Sequence, residues 1–222
     1  FTPISILGKM FRYLAEQTKT PICCHLDHGF SYMECKEGIE NGFTSVMYDG
    51  SKKPLKENIK TSYKISNLAH KHNISVEGEI GEVGYFKGQN SKGTDVNEAK
   101  EYASKSKVDA MAISVGNTHL QTSKIAKINY KKILDIQKIT RLPLVLHGSS
   151  GISHIMRKKI ARNTKVAKFN IGTELRMVAC KSLRKSYNNN IKNFDKISII
   201  KPSIKALKKE TIKVIKNIGP KK

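Results

Sequence analysis

Apolar and polar positions follow two different periods along this chain, and the switch between them recurs. Runs such as Phe43-Thr-Ser-Val-Met-Tyr-Asp49, Val108-Asp-Ala-Met-Ala-Ile-Ser-Val115 and Pro143-Leu-Val-Leu-His147 are apolar through most of their length. That pattern suits strands covered on both faces. Between them lie longer stretches with apolar residues at helical spacing. Residues 57–72, for example, place Ile59, Tyr63, Ile65, Leu68 and Ala69 inward. The pattern predicts strands at residues 21–29, 43–49, 74–80, 108–115, 143–147 and 166–171. It predicts helices at residues 9–18, 32–41, 57–72, 96–106, 130–139, 154–162, 173–187 and 201–216. Gly42 reads as a helix C-cap and Ser153 as an N-cap. In the first strand Ile22, Cys23, Cys24 and Leu26 are the expected buried positions.

Alternation of buried strands with amphipathic helices implies a parallel sheet. No repeat or linker interrupts it, so residues 1–222 read as one domain. An open doubly wound sheet gathers its ligands near one switch point. A (β/α)8 TIM barrel collects them from every strand onto one rim. Here Asp27-His28, Asp49, Glu79, His119, His147 and Asn170 all fall at or just past the C-terminal ends of different predicted strands, which favours the barrel. Only six βα units are present. The first two are expected to be missing, because the chain begins at Phe1 and a barrel without a quarter of its wall would expose strand edges.

The net charge of +23 raises a nucleic-acid reading, and its make-up argues against one. Only six basic residues are Arg and 35 are Lys, Trp is absent, and no basic-aromatic platform appears. From Lys181 onward the lysines interleave with Ile, Leu and Val at helical spacing, as on the solvated face of packed helices. No apolar run reaches membrane-span length. Cys23, Cys24, Cys35 and Cys180 show no metal or redox spacing, so reduced cysteines in a cytoplasmic protein are expected.

The rim residues carry the chemistry. His28, His119 and His147 come from three strand ends, and three imidazoles with a free fourth position suit a catalytic zinc. Asp27 stands next to that site as a candidate acid–base. Asp49 and Glu79 offer hard oxygen ligands for a second cation or for support. Each also has a plainer reading, Asp49 as the cap of a turn and Glu79 as a partner of backbone. Glu77 is expected on the opposite face from its neighbours, paired with a lysine, and His25, His70, His72 and His154 as surface or packing residues. His147-Gly-Ser-Ser-Gly151 and Asn170-Ile-Gly-Thr173 each lead into a helix, where N–H groups favour an anion.

These motifs, with His25-Leu-Asp-His-Gly29, Val76-Glu-Gly-Glu-Ile-Gly81, Gly116-Asn-Thr-His119 and Lys168-Phe-Asn-Ile-Gly-Thr-Glu-Leu175, resemble those of the class II, metal-dependent ketose-bisphosphate aldolases. The resemblance implies a (β/α)8 barrel and a lyase of glycolysis and carbohydrate metabolism. It implies zinc on His28, His119 and His147, a second divalent or monovalent cation near Asp49 and Glu79, and Asp27 as proton donor. It implies that Leu120, Gly148, Ser149, Ser150, Gly151, Asn170, Ile171, Gly172 and Thr173 hold dihydroxyacetone phosphate. A homodimer or homotetramer would be usual. The substrate would be fructose-1,6-bisphosphate, with tagatose-1,6-bisphosphate or a catalytically impaired fragment as alternatives. Two departures stand out. Leu120 replaces the Gly that usually follows the second histidine. The loop Gly84-Tyr-Phe-Lys-Gly88 puts Lys87 or Gly88 where the family carries a proton-moving Glu, which leaves Glu82 as the substitute.

Overall fold

The computed structural model describes residues 2–85, 88 and 91–219. Helix α1 (Ile4–Glu16) is followed by six strands, each leading into helical structure. The strands are β1 (His25–Gly29), β2 (Ser45–Tyr48), β3 (Ser75–Ile80), β4 (Ala110–Ile113), β5 (Leu144–Leu146) and β6 (Val166–Phe169). The helices between and after them are α2 (Tyr32–Glu40), α3 (Leu55–Lys71), α4 (Val96–Lys105), α5 (Tyr130–Ile139), α6 (His154–Asn163), α7 (Thr173–Asn189) and α8 (Lys196–Ile218). All six strands pair in parallel, each beside its sequence neighbour. The sheet curls into a half-barrel, because side chains from β3 and β6 meet across its interior: Lys168 Nζ lies 2.7 Å from Glu77 Oε2.

Alternation along each strand divides the core in two. Outward residues, among them Val46, Val76, Met111, Ile113, Leu144 and Leu146, pack under Ile65, Ala69, Ile133, Ile136 and Ile160 of the helices. Inward residues build layers. Met47, Ala112 and Val145 form a small apolar layer of their own. Opposite Met47 and Val145 on the neighbouring strands stand the polar residues Glu77 and Lys168. Glu77 therefore shares the inward face with Glu79, two residues on, and does not stand apart from it. Its expected pairing with a lysine is present, to Lys168.

Several expectations are corrected at the margins. Ile22 is 53% exposed and Cys23 is exposed, because the ladder begins only at His25 and β1 has a single neighbouring strand. Tyr63 is also exposed, with the Lys107 ammonium 4.9 Å above its ring. α8 begins five residues early because the Asp195 carboxylate accepts from the N–H groups of Ile197 and Ser198. No helix among the described residues is long and apolar enough to cross a membrane.

One ion-pair cluster fixes the start of α7. The Arg157 side chain is fully buried, and its guanidinium donates to Glu174 Oε2 at 2.7 Å, while Lys124 Nζ lies 2.6 Å from the same oxygen. Burial alone would raise the Glu174 carboxyl, but Arg157 and Lys124 outweigh it and hold it down at about 2. Glu174→Gln should leave the Arg157 charge buried without its counter-ion and cost ~3–5 kcal/mol in denaturant unfolding. The folded carboxyl lies below its unfolded value of about 4.3. The contribution should therefore be complete above about pH 5 and fade as pH falls toward 2, a dependence that the Gln variant lacks.

Candidate active site

A cavity of about 230 Å³ opens at the C-terminal ends of the strands. Asp27, His28, Tyr85, His119, Leu120, His147, Gly148, Ser150, Asn170, Gly172, Thr173 and Arg176 line it. Neighbours in a regular strand point to opposite faces, yet Asp27 and His28 both reach this cavity. The reason is local: His28 has φ +53°, and the β1–β2 register slips between Leu26 and Gly29. The loop after β4 brings in His119, whose N–H donates to the Gly84 carbonyl at 2.8 Å. Asn117 ties that loop to the next strand end through the His147 carbonyl, at 3.0 Å.

Ligating atoms of His28, His119 and His147 lie within 4.8 Å of one another. His28 Nδ1 bonds Asp49 Oδ2 at 2.8 Å, and His147 Nε2 bonds Glu77 Oε1 at 2.8 Å. A carboxylate only accepts, so each imidazole places its hydrogen on that nitrogen. The remaining nitrogens, His28 Nε2 and His147 Nδ1, then face each other with lone pairs 3.0 Å apart. Two converging lone pairs repel unless a proton or a cation lies between them. The donor set therefore fits a zinc ion with three imidazole ligands. His119 has its ring 5.0 Å from that of Tyr85, stacked at 27°.

The electrostatics follow from burial and neighbours. Burial disfavours charge on His28, but the Asp49 hydrogen bond and nearby carboxylates outweigh it and raise its pKa. Burial, then His28 and His147, push His119 down to about 4. Burial works against ionised Asp49, yet His28 and Ser51 hold it at about 2. Asp49 thus does two jobs, since its other oxygen accepts from the Ser51 amide at 3.1 Å as a turn cap. Glu79 is raised to about 8 by burial and then by Asp49. One Glu79 oxygen meets the Val83 N–H at 3.4 Å; the other is buried without a partner among the described residues. His28, Asp49 and Glu79 form a second group with metal-ligand spacing.

The residues expected to hold an anion divide into those that line the cavity and those that do not. Gly148, Ser150, Asn170, Gly172 and Thr173 line the cavity, beside the N-terminus of α7. Gly148 has φ +60°, and a Cβ there would run into the Thr118 carbonyl, so the close approach requires glycine. Ser149, Gly151 and Ile171 do not line the cavity. The Ser149 amide is spent on the Asn170 carbonyl at 3.1 Å and that of Gly151 on Gly148 at 3.2 Å, because the segment closes into a 3-10 turn before α6. Leu120 does reach the cavity, held at φ +56°, a backbone that usually calls for glycine.

The whole chain, residues 1–222, matches the family model described as fructose-bisphosphate aldolase class-II. The chain belongs to that family. It is 38% identical over 208 residues to a fructose-bisphosphate aldolase from Staphylococcus aureus (strain Mu50), covering 90% of this chain and 71% of the relative. Among solved structures, the YdjI aldolase from Escherichia coli K12 superposes with a TM-score of 0.80 at 27% identity, covering 98% of this chain and 76% of that one. A fructose-bisphosphate aldolase from Campylobacter jejuni, at 18% identity and a TM-score of 0.78, shares the fold. The α/β half-barrel is thus that of aldolase structures.

Within this aldolase, sequence reasoning missed Tyr85 and Arg176, both of which line the cavity. Arg176 lies one helical turn after Thr173, a spacing that signals a shared face. Tyr85 could be found only from the fold, through its loop's pairing with His119. Glu82, the expected substitute acid, does not line the cavity; its carboxylate lies 3.7 Å from Lys52 Nζ. Lys87 lies outside the described residues.

Proposed function

We propose that the chain cleaves fructose-1,6-bisphosphate reversibly into dihydroxyacetone phosphate and glyceraldehyde 3-phosphate. What supports this most is three imidazoles converging beside the exposed carboxylate of Asp27, in a cavity whose other wall is a helix N-terminus. The tagatose alternative loses ground, since the Staphylococcus aureus relative is named as a fructose-bisphosphate aldolase. In this reading the six units are three quarters of a (β/α)8 barrel.

His28, His119 and His147 would hold zinc, which when bound supplies a Lewis acid toward the ketose carbonyl. Asp49 and Glu79 would hold a second cation or steady His28. Ser150, Gly172 and Thr173, with the N-terminal dipole of α7, would bind the phosphate of the three-carbon half. Bound this way, the substrate presents its C4 hydroxyl to Asp27. The Asp27 carboxylate takes the C4 hydroxyl proton as the C3–C4 bond breaks. C4 becomes the aldehyde carbon, and the electron pair remains on the three-carbon half. Asn170, donating to Asp27 Oδ1 at 3.2 Å, fixes where that carboxylate stands. In the reverse direction Asp27 returns the proton.

A second proton must reach C3 of the three-carbon half. Glu82 is turned toward Lys52, so Glu82→Gln should leave that step within about twofold of the parent. Hydrogen–deuterium exchange at the reactive carbon of dihydroxyacetone phosphate in deuterated water measures it. A large drop in exchange would put Glu82 back in the role. The function itself is tested by following triose-phosphate release from fructose-1,6-bisphosphate in a coupled assay.

A further inference from the structure

We propose that Glu77 and Lys168 are positioning residues that fix the tautomer of His147, and through it the affinity for metal. This rests on the zinc reading above. Glu77 sits on β3 and is buried, and the His147 side chain is fully buried. Glu77 Oε1 accepts from His147 Nε2 at 2.8 Å, and its Oε2 accepts from Lys168 Nζ at 2.7 Å. Neutral imidazole carries one N–H. With that hydrogen on Nε2, Nδ1 keeps its lone pair and points at the cluster. The Asn170 amide nitrogen lies near both ring nitrogens, 3.1 Å from Nδ1 and 3.4 Å from Nε2, so the Glu77 contact is the one that sets the tautomer.

Neither residue touches the cavity that holds Asp27. They line a second cavity of about 430 Å³ that also includes Cys23, His25 and Asp109. They therefore act through His147 and not on substrate. Lys168 comes from β6, across the interior from β3, so its ammonium holds the carboxylate in one place against two competing imidazoles. His25 Nε2 is only 3.7 Å from Glu77 Oε2 and would otherwise draw it away from His147. Three strands, β3, β5 and β6, thus set one ring.

Nitrogen NMR of the metal-free protein with labelled histidine tests this. The His147 signals are assigned by their loss in His147→Gln. The parent should show His147 with hydrogen on Nε2 and a bare Nδ1. Glu77→Ala and Lys168→Met should shift the population toward hydrogen on Nδ1. Both should weaken zinc binding about 10–100-fold, measured by competition with a chromophoric chelator. A parent His147 protonated on Nδ1 would overturn the proposal, and that result does not depend on Glu77→Ala or Lys168→Met folding. Parent-like zinc affinity in a folded Glu77→Ala would overturn it too. If the parent binds no zinc that His147→Gln abolishes, the zinc reading falls, while the tautomer still decides whether Glu77 sets the ring.

Discussion

Asp27→Ala should lower kcat about 10²–10⁴-fold, the usual worth of a placed proton-transfer group, with zinc content and KM little changed. The geometry separates Asp27 from the ligands. It lines the cavity and is exposed, while the three imidazoles form a cluster that does not include it. Its one side-chain hydrogen bond among the described residues, from Asn170, goes to Oδ1 and leaves Oδ2 open to substrate. Asp27→Asn should be nearly as slow, since an amide keeps the shape but cannot take the C4 hydroxyl proton. Steady-state kinetics with zinc analysis of each sample checks this. An unchanged kcat would mean that another group moves that proton.

Replacing a single imidazole should have the other large effect. His147→Ala should weaken zinc binding by about 10²-fold or more, because it removes one of the three proposed protein ligands. It also leaves Glu77 buried without the imidazole it was oriented against, with Lys168 bonded to it and His25 3.7 Å away. His28→Ala should act in the same direction and also free the Asp49 carboxylate that now holds that ring. Elemental analysis after dialysis reads the outcome. Parent-like zinc in His28→Ala, His119→Ala and His147→Ala would place the metal elsewhere.

Much of this was legible in the sequence because period and chemistry agree. Val145 and His147 are two residues apart, so one faces the apolar layer and the other the rim, as alternation requires. The expected cap Ser153 accepts the Met156 N–H where α6 begins. What was not legible depended on non-local geometry. The pairing of Glu77 with His147 joins residues 70 positions apart. The inward turn of Asp27 and His28 together needs a left-handed residue that the letters do not announce. The exposure of Ile22 follows from β1 lying at an edge, which the run of apolar residues does not reveal. The loss of Ser149 and Gly151 from the cavity follows from a 3-10 turn that uses their amides locally.

Stripping metal with a chelator and titrating zinc back, while triose-phosphate release from fructose-1,6-bisphosphate is followed, asks whether the three-histidine cluster holds the zinc that cleavage requires. Cleavage should vanish with the metal and return in proportion to zinc, saturating near one ion per chain, about the stoichiometry of a single three-ligand site. Cleavage that persists in the metal-free protein, or that returns equally in His147→Ala, would contradict it.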